Sequence, residues 1–152
     1  MYLDKAYPNG IIYPKEAILP ALEKVKRDIA QGNCSGEISP EREDLISLAR
    51  VSHRVTEVWY NGEKNTIDGT IAILETPRGK MLTEMLKGFK TDFDSTFAIA
   101  SRSIGNVNHE TGVVENCELI SFDIVLKGNS PLMKEIPKKT IEWKDLPNES
   151  IE

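Results

Sequence analysis

Residues 51–88 read VSHRVTEVWYNGEKNTIDGTIAILETPRGKMLTEMLKG, and the change of period within them decides the fold. VSHRVTEVWY alternates and is rich in valine, threonine and aromatic residues, as a half-buried strand requires. Asn61-Gly62 starts a turn, and TIDGTIAILE returns as the second strand of a hairpin. Thr76-Pro77 then supplies an N-cap and a first helical residue. Met81, Leu82, Met85 and Leu86 give the following helix its apolar face, and Gly88 ends it.

On the N-terminal side, IIYPKEAILPALEKVKRDIAQG carries a helical stripe of Ile18, Leu22, Val25 and Ile29 closed by Gly32. Pro20 leaves two placements: a helix that begins near Leu19, or one that Pro20 kinks. NCSGEISPERED, rich in small and acidic residues, reads as a loop. On the C-terminal side, TFAIASRSIGNVN and VVENCELISFDIVL read as strands around a polar turn at His109 to Gly112. Residues 131–152 hold three of the eight prolines and little periodicity. We read a domain over 1–130 and an extended tail over 131–152, with Ile136, Ile141 and Trp143 as docking points. The order of elements predicts an α+β fold, a mostly antiparallel sheet or small barrel with flanking helices.

The chain has 152 residues, enough for one domain with a real core. Nineteen basic against 24 acidic residues give a net charge of −5, which argues against general nucleic-acid binding. Cys34 and Cys117 stand far apart without a CxxC partner, so neither a zinc site nor a disulfide framework is expected. The first residues, MYLDKAYPNG, lack a signal-peptide profile, and no apolar run approaches a membrane span. We expect a protein of cytosolic origin with no cofactor or metal.

Ser101-Arg102-Ser103 is the stretch that invites a catalytic reading, as a serine nucleophile beside an arginine. Most serines on strands face solvent. A working one needs a base within hydrogen-bond reach and donors for the oxyanion. Of the two histidines, His109 lies in a polar turn, whereas His53 lies on a strand. A strand histidine is more commonly half-buried and bonded to a neighbour than a base. Asp123 and Glu118, on the last strand, are expected to face water.

Five blocks, taken in order, are similar to the prohead (capsid-maturation) proteases of tailed phages, a family related in fold to the herpesvirus assemblins. NGIIYPKEAILPALEKV resembles the family's entry to its first helix, and Ser35-Gly36-Glu37-Ile38 resembles its Gly-Glu-Leu motif. Residues 51–88 are close to its pattern of two strands, Thr-Pro-x-Gly-Lys and helix. AIASRSIGNVN is similar to Gly-Val-Ser-Ser-Arg-Gly-Leu-Gly, and FDIVLKGNSP resembles Phe-Asp-Ile-Val-x-x-Pro-Ser. Together the blocks cover roughly residues 9 to 131.

Transferred residue by residue, the resemblance implies lost catalysis. The family's nucleophile is the first serine of Ser-Ser-Arg; aligned on Arg102, that position is Ala100, and Ser101 matches the second serine. The family's histidine follows Gly-Glu-Leu, but this chain reads GEISPERED and has none there. The implied function is a virion structural or assembly protein on a degenerate prohead-protease fold: a capsid, neck or scaffold component assembled in the bacterial host cytoplasm. Its expected partners are capsid, portal or neck, and scaffold proteins, with no nucleic-acid specificity and no membrane. The runner-up is an active serine endopeptidase that trims scaffold and capsid proteins with Ser101, His53 and Arg102. A third reading keeps the fold with an unrelated partner.

Overall fold

The computed structural model describes residues 1–38, 49–88, 93 and 97–126. The first helix, α1, spans Lys15–Ala30, and Ile18, Leu22 and Val25 on one side of it are buried. It starts earlier than Leu19 and runs through Pro20, so the placement beginning near Leu19 is wrong. The start is fixed by Pro14 at the N-cap, and by Asp4 Oδ1, which accepts the Lys15 N–H at 2.9 Å. That carboxylate satisfies a first-turn donor that Pro14 has no side-chain group to reach. Pro20 itself is exposed, and Ile18 and Leu22 around it anchor the helix to the core.

Strand β1 spans Ser35–Glu37, inside the stretch read as a loop. It is three residues long and pairs antiparallel with β2, Val51–Asn61. Its presence is a correction, since alternation cannot be read in three residues. β2 pairs with β3, Thr66–Ile73, as the hairpin reading requires. The second helix, α2, spans Pro77–Gly88. Thr76 caps it, its Oγ1 accepting the Gly79 N–H at 3.1 Å while its hydroxyl donates to the Val51 carbonyl of β2. β4, Phe97–Val107, and β5, Val114–Leu126, form the second hairpin.

The fold is α+β, with antiparallel sheets of three strands (β1-β2-β3) and two strands (β4-β5) and helices at their flanks. The sheets meet where Ile38 bridges Ile124 in parallel. The main core joins α1 (Ile18, Leu22, Val25) to Val55, Val58, Ile67, Leu119 and Phe122. A smaller cluster of Ile38, Leu82, Phe97 and Ile124 seats α2. No helix among the described residues is long and apolar enough to cross a membrane. The tail, with Ile141 and Trp143, and most of the GEISPERED loop lie outside the described residues.

Candidate functional site

Strand register places the candidate residues. β4 and β5 pair Ala100 with Asp123, Ser101 with Phe122 and Arg102 with Ser121. Successive side chains alternate between faces, and directly opposed residues share one. Ala100, Arg102, Asp123 and Ser121 therefore lie on one face, and Ser101, Ile99 and Phe122 on the other.

The first face carries a buried ionic cluster. Arg102 Nε donates to Asp123 Oδ2 at 2.9 Å, and a second guanidinium nitrogen donates to Asp123 Oδ1 at 3.3 Å. This is the two-pronged grip for which arginine is suited and lysine is not. The same guanidinium lies 3.2 Å from Glu37 of β1, and Arg50 Nε donates to Glu37 at 3.1 Å. The Glu37 backbone N–H donates to Asp123 Oδ1 at 2.9 Å. Glu37 is fully buried, Asp123 is 3% exposed and Arg102 is 7% exposed. Asp123 is thus not on a wet face, contrary to its expected place. Its diagonal neighbour across the strands is an arginine, and pairing offsets much of what burying the carboxylate costs. Glu118 does face water, 3.4 Å from Lys24. The cluster ties β1 to β4 and β5, so Arg102 has a structural task whatever else it does.

His53 sits elsewhere. Its Nε2 lies 2.7 Å from the Phe122 carbonyl, which only accepts, so Nε2 carries the ring proton. Nδ1 then accepts the Ser52 hydroxyl at 2.8 Å. Both residues are fully buried. Burial lowers the imidazole pKa, against opposing pulls from the Phe122 carbonyl and Asp123, and so favours the neutral ring. Both ring nitrogens are engaged, and among the described residues no hydrogen bond joins His53 to Ser101. The neighbouring glycine is required: a Cβ on Gly36 would lie 2.3 Å from His53 Nε2 and from the Phe122 carbonyl oxygen. His109 is exposed.

Sequence reasoning missed Glu37 as the second carboxylate on Arg102, although it had singled out the Ser-Gly-Glu-Ile block. It also missed the contact of buried Cys34 with Ser121, 3.6 Å apart on the same polar face. Burial raises the pKa of the Cys34 thiol. Among the described residues no three histidine, cysteine, aspartate or glutamate side chains come together as a metal site.

Comparison with protein-family models finds no match, and comparison with curated proteins finds none either. Among solved structures, the chain is similar to the bacteriophage T4 capsid assembly protease gp21, with a TM-score of 0.69 and 18% sequence identity. The match covers 84% of this chain and 78% of that one. At this identity the likeness speaks for the fold, which is prohead-protease-like.

Proposed function

We propose that this chain is a phage virion structural or assembly protein, a capsid, neck or scaffold component, built on a prohead-protease fold that has lost its catalysis. One observation carries the reading. Ala100 lies on the face of β4 that bears Arg102, and alanine has no hydroxyl to deprotonate. Ser101, the next residue along β4, is on the opposite face. A switch of face would need a slipped register or a bulge on β4 at this point. The bulge beside Arg102 instead leaves Ile120 of β5 unpaired, so alternation along β4 is kept.

The remaining machinery supports the same reading. The Arg102 guanidinium is held by two carboxylates, and the His53 ring is engaged at both nitrogens. The domain would act through its surface, with capsid, portal or neck, and scaffold proteins as partners. Kinship with the assemblins is part of this proposal.

The test uses phage carrying Ser101→Ala or Arg102→Ala in this protein. Ser101→Ala should leave head assembly and the sizes of the capsid and scaffold proteins unchanged, whereas Arg102→Ala should deplete the folded protein and with it the assembled heads. Loss of capsid-protein processing in the Ser101→Ala phage would restore the endopeptidase reading.

A further inference from the structure

Because Ile38 bridges Ile124, the two sheets join in the order β4-β5-β1-β2-β3, which leaves β3 and β4 at the outer edges. An open cavity of about 300 Å³ lies between those edges, reaching Val58 and Phe122 of the core and bordered on the far side by Ile99. Residues 67 to 71 of β3 border it in unbroken succession, so the strand presents its backbone edge there rather than one face of side chains.

Part of that edge is already paired. The Ile67 N–H donates to the Met1 carbonyl at 2.7 Å, the Met1 amine donates to the Ile67 carbonyl at 3.2 Å, and the Leu3 N–H donates to Asn65. By the two-residue period of a strand, Gly69 and Ile71 turn their N–H and C=O groups the same way as Ile67. Among the described residues no further segment bonds to them there. Across the cavity, Ile99 is 40% exposed, and β4 carries none of the lysines, glutamates or prolines that deter strand addition.

We infer that residues 140–144 of the same chain, Thr-Ile-Glu-Trp-Lys, add to the Gly69–Ile71 edge as a further strand with Ile141 and Trp143 set into the cavity. Their alternation puts those two apolar side chains on one face and Thr140, Glu142 and Lys144 on the other. The chain leaves β5 at Leu126, paired with Phe97 and so only two residues along β4 from Ile99. The thirteen residues between Leu126 and Thr140 can span roughly 40 Å when extended, ample for the return. Tethering at that short reach gives the chain's own tail a higher effective concentration than a second copy's. A strand entering beside Ile71 would run antiparallel to β3 and stop against Met1. The inference is independent of whether the ancestral catalysis survives.

The experiment uses the full chain with Trp59→Phe, which removes the half-exposed indole on β2 and leaves Trp143 as the reporter. Trp143 emission should be blue-shifted and protected from acrylamide, independent of protein concentration. It should become red-shifted and quenchable on adding Ile99→Lys, a substitution at an exposed site that should leave the far-ultraviolet circular dichroism unchanged. Ile141→Pro, which removes an N–H that the added strand would turn toward β3 and lies outside the described domain, should do the same. Solvent-exposed Trp143 in the folded parent overturns the inference. Protection that survives Ile99→Lys, or that is lost on dilution as expected for a second copy's tail, overturns it equally.

Discussion

His53 and Arg102 are both polar side chains withdrawn from water against β5, yet the fold accommodates them by opposite means. His53 stays neutral and is satisfied by one hydroxyl and one backbone carbonyl. Arg102 stays charged and is satisfied by two carboxylates, one of which is also held by Arg50. Removing either partner of a neutral pair strands a dipole, whereas removing Arg102 strands buried charge. The ionic cluster is therefore the more fragile of the two, and it spans three strands where the histidine pins two.

Substitutions should rank accordingly. Arg102→Ala leaves Asp123 without its guanidinium and Glu37 with one fewer cation, and should cost about 3–5 kcal/mol in urea unfolding. Arg102→Lys should recover only part of this, because an ammonium cannot grip Asp123 in two prongs. If Arg102→Ala proves no worse than His53→Leu, the contrast between the two regions fails. Gly36→Ala comes next, at about 2–3 kcal/mol, because its Cβ would collide with both His53 and the Phe122 carbonyl. His53→Leu should cost about 1–3 kcal/mol through the Ser52 hydroxyl and Phe122 carbonyl left behind.

The histidine also sets a pH dependence. Burial lowers the folded-state pKa below the ordinary value of about 6.5, so below that pH the unfolded chain takes up a proton that the fold refuses. Stability should therefore fall as pH drops from about 6.5 toward the folded-state pKa, and His53→Gln should flatten that slope. Equal slopes in parent and variant would mean that the imidazole is not held neutral. The smallest effect belongs to the α2 cap: Thr76→Ala should cost about 1 kcal/mol, measured by the same unfolding.

Much of this was legible in the residues. Both hairpins showed in their alternation, and α2 showed in Thr76-Pro77 and its apolar face. The suitability of the Arg102 fork for a carboxylate follows from its chemistry alone. What could not be read was set by distant contacts. β1 exists because Gly36 lets β2 and β5 approach, and Pro20 is carried on the exposed side of a helix that Ile18 and Leu22 anchor to the core. Asp123 is buried because β4 places an arginine beside it. His53 was readable as a bonded strand histidine, but not its carbonyl partner 69 residues away.

The central claim is that the hydroxyl beside Arg102 is not a nucleophile, and covalent trapping tests it most directly. The folded protein should be incubated with a fluorophosphonate and its intact mass and peptides measured. A retained hydrolytic serine reacts because a base lowers the barrier to its attack, an aid that an ordinary strand hydroxyl lacks. The account predicts unmodified protein, with no adduct on Ser101. A stoichiometric adduct on Ser101 that disappears on denaturation before labelling, or in His53→Gln, would contradict it.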